Sequence, residues 1–121
     1  MRILVVDDSA AMRMMIVKTL RMAGFDGSET IQAEDGVDAL AKIEDEMPHL
    51  VLADWNMPNM NGIELLQKLR EMGNEVTFGF ITTEATTKMR DLARESGAKF
   101  LISKPFTVEM FEEVLGAIIK K

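Results

Sequence analysis

Four short, mostly apolar runs and one alternating segment, each followed by apolar residues at helical spacing, govern what this chain can fold into. Residues 3–6 (Ile3-Leu4-Val5-Val6) are apolar throughout, and Met12, Ile16, Leu20 and Ala23 then recur along one helix face until Gly24 supplies a stop. Residues 30–33 alternate as an edge strand does, and Leu40, Ile43 and Met47 mark a helix that must end before Pro48. Residues 50–53 are again continuously apolar; a proline-containing loop leads to a helix carrying Leu65, Leu66, Leu69 and Met72 up to Gly73. Residues 76–81 and 100–102 give two further buried strands, with Met89, Leu92 and Ala93 between them and Phe111, Val114, Leu115, Ile118 and Ile119 after them. Thr107 is placed to cap the last helix. Parallel strands need long, right-handed and normally helical crossovers, so five strand-helix pairs in alternation dictate the α/β class, with a doubly wound five-stranded parallel sheet. No linker interrupts the pattern, and residues 1–121 are expected to form a single domain.

Composition narrows the function. With 47% hydrophobic and 28% charged residues in 121, the chain can bury one core and is neither a disordered tail nor a fibrous repeat. Its net charge of −6, from 20 acidic against 14 basic side chains, argues against binding nucleic acid or anionic membrane through the overall field. No cysteine is present and His49 is the one histidine, which excludes disulfides, thiolate metal sites and histidine clusters. Apolar runs reach only about six residues against the roughly 20 a spanning helix needs, and Asp7 and Asp8 break any signal-peptide core, so a soluble cytoplasmic protein is expected. The 11 methionines fall mostly at apolar helix positions, where adaptable core filling is the expectation.

In open α/β sheets ligands bind beyond the carboxyl ends of the strands. Asp7 and Asp8 follow the first strand, Asp54 the third, Thr82 the fourth and Lys104 the fifth. Adjacent acids at a helix start are commonly no more than solvated groups favoured by the helix dipole, but four strand ends with matched chemistry form a constellation. Clustered carboxylates raise one another's pKa unless a cation sits among them, and hard oxygen donors select magnesium, manganese or calcium. Few protein oxygens are available, which suits magnesium with retained waters. Three carboxylates, one divalent ion and Lys104 sum to about zero charge, so the site is poised for an anion such as a phosphoryl group. Asp54, alone at the end of the central strand, is the candidate nucleophile.

Taken together, Val6-Asp7-Asp8-Ser9, the segment from Ala33 through Glu34-Asp35-Gly36-Val37-Asp38 to Leu40, Asp54-Trp55-Asn56-Met57-Pro58-Asn59-Met60 and Lys104-Pro105-Phe106-Thr107 closely resemble the response-regulator receiver domain, in its single-domain chemotaxis form. The resemblance covers essentially the whole chain. It implies the flavodoxin-like (βα)5 fold with strand order 2-1-3-4-5; receiver domains are themselves a standard example of the strand-end rule, so this agreement is not independent of it. It also implies that Asp54 accepts a phosphoryl group from a phosphohistidine on a histidine kinase, or from a small phosphodonor. The Asp8 and Asp54 side chains and the Asn56 carbonyl would hold Mg2+ directly, with Mn2+ able to substitute and Asp7 helping through water. Lys104 would grip the phosphoryl group, Thr82 would hydrogen-bond it, and a cis bond before Pro105 would aim Lys104. His49 precedes the third strand, at the opposite end from the site, and is read as an ordinary loop residue.

The resemblance further implies a monomer that is not an enzyme acting on outside substrates and that would catalyse only its own Mg2+-dependent phosphorylation and dephosphorylation. Its signal is a changed face on the fourth helix, fifth strand and fifth helix, read by a target such as a flagellar motor switch protein, with a phosphatase as a further partner. No output domain is expected. Three positions depart from the family pattern. Thr83 stands beside the phosphoryl site where a smaller residue is usual, Asn61 replaces an aspartate at a helix-cap position that tolerates it, and Leu101 replaces the usual switch aromatic, with Phe100 on the other face. Competing readings are a phosphorelay intermediate that passes its phosphoryl group to a histidine phosphotransfer protein, a metal-dependent aspartyl-phosphate phosphohydrolase, which needs a cap that 121 residues leave no room for, and a flavin module, which needs a Ser/Thr/Gly-rich first loop.

Overall fold

The computed structural model describes residues 1–119. Five parallel strands, β1 (Arg2–Val6), β2 (Glu29–Ala33), β3 (Leu50–Ala53), β4 (Thr77–Thr82) and β5 (Phe100–Ser103), pair in the order β2-β1-β3-β4-β5. They alternate with helices α1 (Ala10–Leu20), α2 (Gly36–Glu46), α3 (Gly62–Glu71), α4 (Thr87–Glu95) and α5 (Val108–Ile118). β3, apolar throughout, and β1, apolar after Arg2, sit inside the sheet because both of their faces are covered. One face packs Leu4, Val6, Val51, Phe78 and Phe80 against Ile43 of α2, Leu65, Leu66 and Leu69 of α3 and Ala93 of α4. The other packs Ile3, Val5, Leu52, Ile81 and Ile102 against Ile16 and Leu20 of α1 and Phe111 and Leu115 of α5.

Register then places the chemistry. Val6 pairs with both Ala33 and Ala53, so Asp7 and Asp54 leave the sheet side by side, and Thr82 pairs with Ser103, next to Lys104. All five helices start at this same edge. Ser9, Asp35, Asn61, Thr86 and Thr107 cap them, each side chain accepting from the amide three residues on. Asn61 and Glu64 complete a reciprocal capping box, so asparagine does serve at that position.

Several expectations need correction. β4 runs one residue later than 76–81: Val76 is outside it and Thr82 is its fully buried last residue. β5 is not a strand buried on both faces but the second edge, with Phe100 and Leu101 only half-buried. They do point to opposite faces, Leu101 toward the α2/α3/α4 side and Phe100 toward the α1/α5 side. The methionines are core filler only in part: Met12, Met57, Met60, Met89 and Met110 are half-buried and pack against the two core clusters. Six of the 11 are exposed and none is buried, because Ala, Ile, Leu and Phe already fill the space beneath the helices; Met14 and Met15 point outward from α1 while Ile16 and Leu20 point in. Met47 does not line α2. It caps the helix in the left-handed region (φ 44°), since Pro48 disfavours helical backbone before it, and the Arg2 guanidinium satisfies the carbonyls of Glu46 and Met47 at 2.8 and 3.0 Å. Met72, Leu92 and Ile118 are likewise exposed at the margins of their helices. After α1 the backbone continues through a wider turn, Arg21–Phe25, closed by Gly24 at φ 98°, a conformation that favours glycine.

Two loops at the functional edge are tied together. The Gly36 amide donates to the Met60 carbonyl, and Asn59 donates to Asp35 Oδ2 at 2.7 Å while Asp35 Oδ1 caps α2. The Asp38 amide and then the Asn59 side chain hold the Asp35 carboxyl below the usual carboxylate value. A lowered folded-state pKa contributes stability that is complete above the unfolded value and is lost as pH falls through the folded one. Asp35→Ala should therefore cost about 1–2 kcal/mol in urea unfolding at neutral pH. The gap to wild type should close in acid, below the ordinary carboxylate range.

Candidate functional site

Asp7, Asp8 and Asp54 converge so that one carboxylate oxygen from each lies within 4.8 Å of the others. Asp7 is buried, Asp8 exposed and Asp54 between the two. Lys104 reaches in from the fifth strand end, with Nζ 3.0 Å from Asp7 Oδ2 and 3.3 Å from Asp54 Oδ2, and its own side chain is 11% exposed. The remaining oxygens are also engaged: Asp7 Oδ1 accepts from the Ser9 amide at 2.9 Å, and Asp54 Oδ1 from the Trp55 amide at 2.7 Å. The Lys104–Pro105 bond is cis. Burial holds the Asp54 carboxyl above the ordinary carboxylate range; Lys104 pulls against that shift and the Asp7 charge adds to it.

The walls are close-fitting. A side chain on Gly62 would drive its Cβ into the Asp54 carbonyl oxygen, so the start of α3 can pass under the Asp54 loop only as glycine. Trp55 lies over Phe80 with ring centroids 4.8 Å apart, and Phe80 meets Phe78 edge-on at 5.2 Å. This aromatic column runs from the Asp54 loop into the core.

Thr82 and Asn56 border the cluster and have other partners. Thr82 Oγ1 accepts from the Glu84 amide at 3.2 Å, and the Thr82 carbonyl accepts from the Lys104 amide at 2.8 Å. Asn56 donates its side-chain amide to Glu84 Oε1 at 2.8 Å, joining the loops after β3 and β4. Thr83 is exposed beside them. His49 is exposed at the far end of the sheet, its Nδ1 accepting from the Arg2 amide at 2.9 Å. Two features escaped sequence reading. The Asn56–Glu84 contact spans 28 residues and has no local pattern. The Arg13 guanidinium donates to the Asp7 carbonyl at 2.6 Å and to Gln32 Oε1 at 3.0 Å, and it too lacks a periodic signature.

The model of the response regulator receiver domain matches residues 3–115. The chain belongs to that family. Among curated receiver proteins it is 38% identical to chemotaxis protein CheY1 of Helicobacter pylori strain 26695 over 122 residues, covering 98% of this chain and 97% of that protein. It is also 38% identical to a CheY homologue of Campylobacter jejuni over 124 residues, covering 98% and 92%. Among solved structures it resembles the chemotaxis protein CheY4 of Vibrio cholerae, with a TM-score of 0.85, 31% identity and 98% coverage of both chains. A CheY-like receiver domain from Methanospirillum hungatei gives 0.82 and 31%, covering 97% of this chain and 91% of that one. Receiver domains of this kind bind Mg2+ through an acidic pocket, and the Asp7, Asp8 and Asp54 oxygens, all hard donors crowded against one another, fit such an ion. Among the described residues no helix is long and apolar enough to cross a membrane.

A carboxylate whose folded-state pKa is raised costs stability above that pKa and costs nothing below its unfolded value. Asp54→Asn should therefore unfold at higher denaturant than wild type in metal-free buffer at neutral pH. The advantage should vanish in acid, below the ordinary aspartate range.

Proposed function

We propose that the chain is a phosphorylation-driven two-component switch of the chemotaxis type in which Asp54 is the phosphoacceptor. The observation that supports this most is one largely buried cation, Lys104, shared by two carboxylates that a third flanks. In this reading Asp8, Asp54 and the Asn56 carbonyl hold Mg2+, or Mn2+ in its place, and Asp7 acts through water. The bound ion supplies positive charge against the phosphoryl oxygens. Asp54 Oδ2, the oxygen facing Lys104, attacks phosphorus; the bond from phosphorus to the donor's imidazole nitrogen breaks, and the imidazole leaves. The Trp55 amide keeps Oδ1 fixed so that the carboxylate presents one oxygen in line. Lys104 leaves its carboxylate partners for the new phosphoryl oxygens, a short move for a flexible ammonium.

The donor is a histidine kinase and the acceptor of the signal a protein such as a flagellar switch component, as CheY-like receivers are known to use. The reading surface is α4, β5 and α5. Arg90, Arg94 and Lys99 rim the cleft between α4 and β5, while Glu109, Glu112 and Glu113 are exposed on α5, so that surface presents charges of both signs to its target. Protein incubated with a small phosphodonor should gain one phosphoryl group by mass spectrometry only with divalent metal present, and Asp54→Asn should gain none. Unchanged labelling of Asp54→Asn removes the assignment. Trp55, the one tryptophan, should report magnesium by its emission, and Asp8→Ala should weaken that titration about tenfold or more.

In this reading the Thr82 hydroxyl, whose oxygen accepts from the Glu84 amide, turns its own O–H to a phosphoryl oxygen. Leu101, half-buried in the cluster that holds Trp55, Phe80 and Met89, then closes under α4. Leucine adds neither hydroxyl nor stacking face, so the coupling is on the order of 1–2 kcal/mol and the population shift partial. Thr82→Ala should still be phosphorylated yet show little amide chemical-shift change over residues 86–95 and 99–103, and Leu101→Tyr should enlarge the wild-type change. A full wild-type shift pattern in phosphorylated Thr82→Ala rules out this route.

A further inference from the structure

Arg13 lies on α1, one turn beyond the Ser9 cap, and carries a positive charge toward the acidic edge without pairing with any carboxylate there. Its guanidinium is divided between two neutral oxygens. Nη1 donates to the backbone carbonyl of Asp7 at 2.6 Å, and Nε to Gln32 Oε1 on the edge strand β2 at 3.0 Å. Asp7 is the first residue past β1: its amide is held by the Ala33 carbonyl at 3.1 Å, and its carboxylate by the Ser9 amide and Lys104. Among the described residues, Arg13 is the donor the structure gives to the Asp7 carbonyl. The peptide plane between Asp7 and Asp8 therefore has Arg13 on its oxygen, and that plane sets where both carboxylates point.

We infer that Arg13 is a positioning residue for the divalent-ion site, fixing the Asp7–Asp8 peptide against β2 so that both carboxylates face Asp54. The inference rests on the reading that Asp7, Asp8 and Asp54 hold the ion. Two physical effects of Arg13 oppose each other, which makes the role measurable. As a nearby cation it repels Mg2+, so its removal by charge alone would tighten binding. As an anchor for the peptide it preorganises the ligands, so its removal would loosen them and weaken binding, as loss of groups that orient metal ligands generally does. Preorganisation dominates here because the Arg13 bonds are short and local, whereas its charge is half-exposed to water and screened.

The test is calorimetric titration of Mg2+ into wild type, Arg13→Met and Gln32→Leu, together with hydrogen exchange of the Ser9 amide in the metal-free proteins. Arg13→Met is expected to bind Mg2+ about tenfold more weakly. Gln32→Leu, which cuts the Nε anchor and leaves the charge, should shift affinity in the same direction by less. The Ser9 amide, bonded to Asp7 Oδ1, should exchange faster in both. Equal or tighter Mg2+ binding by Arg13→Met overturns the inference, as does wild-type exchange at Ser9. Should Arg13→Met fail to fold, unchanged affinity and exchange in Gln32→Leu overturn it instead. Absence of Mg2+ binding by the wild type would strike the metal-site reading, while Ser9 exchange would still decide whether Arg13 orders the Asp7 carboxylate.

Discussion

Two carboxylates sharing one ammonium are the contact on which this molecule turns. Asp7 is 2% exposed and Asp54 stands beside it, a pairing that parallel register imposes once Val6 is matched to Ala53. Buried like charges at such a separation are tolerated only with a counter-charge, and Lys104 supplies it from β5, two places from the strand of Asp54 and three from that of Asp7. With Asp8 as third acid the local sum remains negative. Burial lifts the Asp54 pKa, Lys104 opposes that shift and the Asp7 charge adds to it, and the excess of carboxylates over ammonium suits the edge to a cation.

The scaffold absorbs that frustration by being regular everywhere else. Five capped helix starts surround the edge, their orphan amides satisfied by Ser9, Asp35, Asn61, Thr86 and Thr107 rather than left to compete for the carboxylates. No buried side-chain polar atom among the described residues lacks a hydrogen-bond partner. The strain of unequal charge is thus confined to one place, where it can be relieved by ligands instead of by unfolding.

Much of this was legible in the order of residues. Apolar runs ending in Asp7, Asp54 and Lys104 carry both the sheet and the convergence, because strand period and parallel topology leave one edge for strand ends. What escaped was whatever depends on neighbours far apart in sequence. A helical repeat records that Met14 and Ile16 differ in direction but not which one meets the core, so the methionines read as filler when six lie at the surface. β5 reads as buried from its composition, yet topology makes it an edge. Arg13, Asn56 and Glu84 act through single contacts across loops, and no periodicity announces a single contact.

Thr82 links the charge cluster to the rest of the fold. Thr82 is fully buried, its hydroxyl oxygen accepts from the Glu84 amide and its carbonyl from the Lys104 amide, so the residue is engaged with both the loop toward α4 and the start of the lysine segment. Glu84 in turn accepts from Asn56, two residues beyond Asp54. Any rearrangement of the Asp54 loop is therefore felt at Glu84 from one side and at Thr82 from the other. The Trp55, Phe80 and Phe78 rings beneath resist deformation, because close-packed aromatic contacts lose much of their attraction on slight separation. Movement is left to the half-buried rim, where Leu101 and Met89 sit between that column and the cationic cleft of α4. The site at one end of the strands and the flank of α4 are thus joined through rim contacts, while the core between them is close-packed.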